Sequence, residues 1–253
     1  MEAIKVKSIG LIGCGAIGTL IAEAVEKGIV PCDELILHDI DRFKAEKLRN
    51  KLHIKATIAS SVKEMIRLKP AVIVEAASQQ AAREYAEMII AENTDLIVMS
   101  VGALLDMNVR SKKIHISSGA IGGLDAISSA NLAGVEEVVL TTRKNPAVLD
   151  LDDQKEKLIY EGNAKEAARR FPREMNVAAT LALTVQPERV KVRVISDPKV
   201  QKNMHEIKVK WKQGEMLLQF SNDPHPENPK TSALSAWAAI NLLKQIMENQ
   251  GPD

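Results

Sequence analysis

Residues 7–28 read KSIGLIGCGAIGTLIAEAVEKG, and the fold turns on how this stretch is read. Its first half is an apolar run suited to a buried strand. Its second half, from about Ala16 to Lys27, has the pattern of a helix. Gly13, Gly15 and Gly18 lie between them in the spacing G-x-G-x-x-G. Gly13 permits a tight turn after the strand. Gly15 lets the backbone approach a pyrophosphate, and Gly18 lets the helix pack close to the strand. The helix start, with Ala16 and Ile17, offers free N–H groups and a positive dipole end to phosphates. A glycine pattern alone is weak, and the plain alternative is a tight strand-to-helix turn. Here the pattern follows a strand and opens a helix, as a dinucleotide site requires.

A second strand, ELILHDI, brings Asp39 to 21 residues after Gly18, where an acid meets ribose hydroxyls. Its charge opposes a 2′-phosphate, so NAD is the expected cofactor. Arg42 lies three residues on and keeps NADP open. Cys14, between the glycines, reads as a small turn residue rather than a redox group.

Working outward, strands and helices keep alternating. DRFKAEKLRNKL reads as a helix, and AVIVEAAS as a short apolar run after Pro70. QQAAREYAEMIIAE is helical, and DLIVMSVG and KIHISSG add strands. Such alternation implies right-handed crossovers and a mostly parallel sheet. After residue 118 the pattern changes to period two in VEEVVLTTRK and RVKVRVIS. HEIKVKW and EMLLQFSN follow, joined by the hairpin turn KQGE. The expected architecture is α/β. A Rossmann-type, doubly wound parallel sheet spans 1–118, and an α+β domain with a mainly antiparallel sheet spans 119–230. The last helix, about 231–249, is expected to return to the first domain. Leu234, Trp237, Ile240, Leu243 and Met247 form its expected buried stripe.

The totals narrow the function classes. With 253 residues the chain has room for one large or two small domains. A net charge of +1 and 3% aromatic residues give no field or stacking platform for nucleic acid. No signal peptide and no bilayer-spanning run is read, so a cytoplasmic protein without membrane contact is expected. Cys14 and Cys32 make neither a disulfide framework nor a zinc pattern, and no metal is expected.

Further candidate residues each carry two readings. Ala76, Ala77 and Ser78 end a parallel strand, where ligands bind in this architecture; close helix packing is the alternative. SSGAIGGLDAI, with Ala120, is a second glycine-rich turn, either a ligand contact or a hinge. Asn176 heads the apolar helix of FPREMNVAATLAL, as a cap or as a cofactor contact. Alternation puts His205 on the face of Ile207, Val209 and Trp211, as a core residue or a proton-transfer group. NDPHPENPKTSALSA reads as a proline-rich rigid loop ending in a helix cap. There His225, Lys230, Thr231 and Ser232 suit a carboxylate.

Taken together, GLIGCGAIG, VEAASQQAAREYA, VMSVGALLD, SSGAIGGLDAI, FPREMNVAATLAL, NMHEIKV and NPKTSALSA resemble the L-aspartate dehydrogenases, over most of the chain and in that family's order. One departure is Glu174, where the pattern carries a neutral Asn. The resemblance implies oxidation of L-aspartate at its α-carbon with NAD or NADP. The product, iminoaspartate, hydrolyses to oxaloacetate and ammonia or feeds NAD biosynthesis. It also implies a homodimer, His205 as the catalytic histidine, and cofactor contacts at Ala120 and Asn176. Two other classes stay open: a two-domain reductase of the homoserine dehydrogenase or dihydrodipicolinate reductase type, and a non-catalytic NADH-sensing protein.

Overall fold

The computed structural model of the chain describes residues 7–107, 109, 111–172, 175–225 and 228–249. The sequence IKVKSIGLIG, residues 4–13, reads as one strand; its residues 4–6, and Glu174, lie outside the described residues. The chain forms two compact units, Met1–Ser117 with Ala236–Asp253, and Ser118–Ser235.

The first unit follows the strand–helix alternation. β1 (Ser8–Ile12), α1 (Ala16–Glu26), β2 (Glu34–His38), α2 (Arg42–Arg49), β3 (Lys55–Ile58) and α3 (Val62–Arg67) come first. β4 (Val72–Glu75), α4 (Gln79–Ala91), β5 (Asp95–Val98) and β6 (Ile114–Ile116) follow. All six strands are parallel, in the order β3-β2-β1-β4-β5-β6. The order reverses between β1 and β4, and the crevice beyond their C-terminal ends is where such sheets bind ligands. β1 and β4 are buried along their whole length, which explains their unbroken apolar runs.

The second unit contains α5 (Leu124–Ala133), β7 (Val135–Lys144), β8 (Lys157–Asn163), α6 (Ala164–Arg170) and α7 (Asn176–Thr184). It continues with β9 (Val190–Ser196), β10 (Asn203–Trp211), β11 (Gly214–Asn222), β12 (Pro224–His225) and β13 (Asn228–Ser232). Five strands make one sheet in the order β11-β10-β7-β9-β8. It is antiparallel except where β7 runs parallel to β9. β10 and β11 join at Trp211↔Gly214, so KQGE does make the hairpin.

α8 (Ala233–Asn249) belongs to the first unit from Ala236 onward. Its Ala239, Ile240, Leu243 and Met247 pack in one cluster with Ile9 and Leu11 of β1 and Ile21 and Val25 of α1. The expected stripe needs correction at its start. Ala236 is buried, whereas Trp237 is 50% exposed and Leu234 is also exposed. One helical step is about 100° of rotation, so Trp237 cannot share the Ala236–Ile240–Leu243 face. The region 222–236 differs from expectation too. Instead of a loop, β12 and β13 form a two-stranded hairpin pairing Pro224 with Ser232 and His225 with Asn228.

Candidate active site

The glycine turn can be tested position by position. Gly13 has φ +96°, and a Cβ there would lie 2.6 Å from the Ala76 carbonyl oxygen. That close approach knits the ends of β1 and β4 together, with Ala76 N–H donating to Ile12 O at 2.8 Å. A Cβ on Gly18 would collide with the Gly13 carbonyl, so helix packing requires that glycine. Gly15 differs from both. Its φ of −81° suits any residue, and a Cβ would point into open space. Neither backbone strain nor protein packing demands a glycine at position 15. The start of α1 beside it has no side-chain cap bond, which leaves backbone N–H groups there for an anion to approach.

Asp39 follows β2, and both its oxygens are held by backbone. Oδ2 accepts from Cys14 N–H at 2.8 Å, and Oδ1 from Asp41 N–H at 2.9 Å. A carboxylate offers about four lone-pair positions, so acceptor capacity is left for hydroxyls. Arg42 is engaged with Glu46 one helical turn on, at 2.9 Å. Ile40, between Asp39 and Asp41, is 100% exposed, an apolar side chain just past the end of β2 that the sequence reading passed over. Burial, then the Asp39 charge, push the Cys14 thiol up to about 12, so it stays protonated and is a poor redox group.

Ala76, Ala77 and Ser78 turn from β4 into α4. Ser78 caps α4, its hydroxyl accepting from Ala81 N–H at 3.1 Å. The turn is held from below by Glu75, which is 1% exposed. Its carboxylate accepts from Ala77 N–H, Ser78 N–H, Ser100 N–H and Ser100 Oγ–H, all at 2.9–3.0 Å. Burial raises its pKa, and these bonds oppose that.

In the second unit, one sheet face changes character along its length. Val138, Leu140, Thr142 and Lys144 of β7 share a buried face. Val190, Val192, Val194 and Ser196 lie beside them on β9, in register. Val209, Ile207 and His205 of β10 oppose Val138, Leu140 and Thr142. The first two rows are wholly apolar. The third holds His205 and Thr142, and the fourth holds Lys144 and Ser196. His205 is 3% exposed, on the buried face that alternation assigns it. Its Nδ1 lies 3.0 Å from Thr142 Oγ1, which fixes the ring. Burial, and secondarily the Lys144 charge, lower its pKa to about 3, so the imidazole is neutral. Thr142 and Lys144 were missed in the sequence reading. The signal was present in VVLTTRK, where the inward positions switch from apolar to polar.

The glycine-rich turn before α5 places Ala120 in a buried position, its carbonyl accepting from Asn222 Nδ2 at 3.0 Å. Gly119 and Gly123 have φ of +65° and +73°, and a Cβ on Gly123 would strike the Leu218 side chain. Asn176 is the first residue of α7 rather than its cap. Met175 holds the cap position, without a side-chain bond, so the capping alternative is withdrawn. His225 and Ser232 are buried, and Thr231 is half-buried on β13. The Lys230 side chain lies outside the described residues. His225 thus sits on β12, and Lys230, Thr231 and Ser232 end β13 directly before α8, so the latter three do lie next to a helix N-terminus. Among the described residues, no group of three or more His, Cys, Asp or Glu is placed to hold a metal, and no helix is long and apolar enough to cross a membrane.

Residues 125–246 match the model of the aspartate dehydrogenase C-terminal domain. Residues 13–116 match the NAD-binding domain model of homoserine dehydrogenase. An L-aspartate dehydrogenase of Methanosarcina barkeri is 39% identical, covering 94% of this chain and 96% of the relative. One from Archaeoglobus fulgidus is 40% identical, covering 95% and 98%. The crystal structure of aspartate dehydrogenase from Thermotoga maritima superposes with a TM-score of 0.75 at 26% identity, over 95% of this chain and 96% of that one. The homoserine dehydrogenase model covers only the nucleotide-binding half, where the fold is widely shared, while both halves align with full-length relatives: the chain belongs to the L-aspartate dehydrogenase family.

Proposed function

We propose that the chain oxidises L-aspartate at its α-carbon with a pyridine nucleotide, giving iminoaspartate, which water converts to oxaloacetate and ammonia. The observation that carries this reading is the likeness to L-aspartate dehydrogenases along both units, at 39% identity over 94% of the chain. The residues present fit the cofactor. Gly13, Gly15 and Gly18 with the start of α1 would hold its phosphates. Asp39 would take the ribose hydroxyls, and Ala76–Ser78, Ala120 and Asn176 would contact the nicotinamide side. Asp39 supports NAD over NADP, because its fixed carboxylate would repel a 2′-phosphate and Arg42 is committed to Glu46. When bound, the nicotinamide supplies the hydride acceptor.

The chain's own groups manage protons and charge. The substrate amine must be neutral before hydride leaves. His205 takes that proton, or activates the water that attacks the imine. Base action through Nε2 requires the proton on Nδ1, where Thr142 Oγ1 is placed to accept it. His225, Lys230, Thr231 and Ser232 would bind substrate carboxylate. A homodimer, a cytoplasmic setting and a supply of iminoaspartate to NAD biosynthesis belong to the same proposal.

The test is NADH and NADPH formation by the purified chain against L- and D-amino acids and 2-hydroxy acids, with the reverse reaction from oxaloacetate and ammonia. Turnover confined to L-aspartate is expected. Tight NADH binding without turnover of any substrate would overturn the enzymatic reading in favour of a sensor.

A further inference from the structure

We propose that Glu75 is a positioning residue for the nicotinamide end of the cofactor: it fixes the backbone of Ala77 and Ser78, and with it the grip on the ring, without touching the ligand. The inference rests on reading the crevice beyond β1 and β4 as the pyridine-nucleotide site, with the turn after β4 on its nicotinamide side.

Three observations converge on this carboxylate. Strand pairing runs out where it stands. The registers end at Ile12↔Glu75 and Glu75↔Val98, followed by Ala76 N–H donating to Ile12 O and Met99 N–H to Glu75 O. Beyond that row the next backbone N–H groups turn to one side chain instead of a neighbouring strand. Glu75 Oε1 accepts from Ala77 N–H and Ser78 N–H at 2.9 Å, and Oε2 from Ser100 N–H at 3.0 Å. Ser100, in turn, stands at the cap position of a short 3-10 helix, Val101–Leu105, yet its side chain makes no cap bond. Its hydroxyl donates to Glu75 Oε1 at 2.9 Å. One carboxylate thereby ties the turn after β4 to the turn after β5.

Burying a carboxylate at 1% exposure is expensive. The need to satisfy backbone groups does not account for all of it, because Ala77 and Ser78 are exposed and water could serve their N–H groups. What the carboxylate adds is a single conformation for an exposed turn. Order imposed on exposed backbone serves whatever rests on it, and a binding surface held from behind loses less entropy when the ligand arrives. Ala76 keeps its own bond to Ile12 O and needs no help from Glu75, so the glycine turn that faces the phosphates is held separately.

The probes are NADH and ADP-ribose, which differ by the nicotinamide. Both are titrated calorimetrically into the full chain without L-aspartate, for wild type, Glu75→Gln, Ser100→Ala and Ile89→Ala. NADH is expected to bind wild type more tightly than ADP-ribose. Glutamine keeps the shape of Glu75 but turns an NH2 group toward a backbone N–H. It should weaken NADH about tenfold and ADP-ribose by no more than about twofold. Ser100→Ala removes one of the four bonds and should weaken NADH about threefold. Ile89, fully buried on α4 away from the turn, is the control: its truncation should lower the melting temperature and leave both affinities alone. Equal weakening of the two ligands in Glu75→Gln, or of neither, overturns the proposal and leaves Glu75 a residue of the fold alone. If that variant does not fold, Ser100→Ala decides by the same comparison. Wild type binding both ligands equally, or a selective NADH loss in Ile89→Ala, overturns it too. Selective loss of NADH in a chain inert toward L-aspartate leaves Glu75 in its role and sinks the activity. L-Aspartate turnover with a ligand ratio indifferent to Glu75 does the reverse.

Discussion

Replacing His205 with Gln should flatten the response of the second unit to acid. Burial, with Lys144 adding to it, holds the folded-state imidazole down at about 3, against an ordinary value of 6.5. In the unfolded chain the ring titrates normally. As pH falls below about 6.5, the unfolded chain gains a proton that the folded chain refuses. Folding is therefore weakened progressively from about pH 6.5 down to about pH 3, and is untouched by this group above pH 6.5. The slope is about 1.4 kcal/mol per pH unit, so by pH 5 the loss from this one residue is about 2 kcal/mol. Glutamine exchanges no proton here and still offers Thr142 a polar partner. The assay is urea unfolding from pH 7.5 to pH 5, followed by tryptophan fluorescence. The chain has two tryptophans, and making both proteins in a Trp237→Phe background leaves Trp211, on the same strand as His205, as reporter. Wild type should lose about 2 kcal/mol more than the variant across that range. Parallel profiles would mean that the imidazole protonates freely in the folded chain, and the buried, neutral histidine would be refuted.

Other perturbations separate the roles assigned to the site. His205→Ala should lower kcat about 10²–10⁴-fold while leaving NADH binding largely intact; an unchanged kcat removes the histidine from the chemistry. Asp39→Ser should raise the use of NADP relative to NAD, read as the ratio of kcat/KM values, and a constant ratio would place Asp39 away from the ribose. Gly15→Ala and Gly18→Ala should part company. The first keeps the melting temperature within the shift expected of about 1 kcal/mol at a helix cap, yet weakens NADH. The second drives a methyl into the Gly13 carbonyl and lowers both. Equal loss of stability in the two would contradict the open space at Gly15.

Much of the fold was legible because its signals are local. The strand, glycine turn and helix of residues 7–28 declare themselves within one window, and the long inward alternation of β10 fixes the side of His205. Short mixed elements escaped. β3 and α3, and β8 and α6, have four to seven residues each and too little periodicity to stand out. Trp237 was assigned inward on bulk and apolarity, whereas angular phase around α8 decides its exposure. The prolines of 222–236 suggested a loop, yet Pro224 sits in a two-stranded hairpin, where an edge position tolerates a missing N–H. The polar end of the sheet was the least readable feature. Each strand reveals its own inward residues, but only the register among β9, β7 and β10 brings His205, Thr142, Lys144 and Ser196 to one end.

The last helix makes the second unit an insertion within the first. The chain leaves the nucleotide-binding unit after Ser117 and rejoins it at Ala236, and Ile240, Leu243 and Met247 complete a core begun by Ile9 and Leu11. On a ribosome, domains fold as they emerge. Here the inserted unit is synthesised whole before its host has all its core residues, so the unit begun first is finished last. A stalled or C-terminally clipped product would present a folded insert on an incomplete host, its apolar sheet open to chaperones and proteases. Proofreading by such factors would then act on the nucleotide-binding half, and only full-length chains would accumulate with a cofactor site.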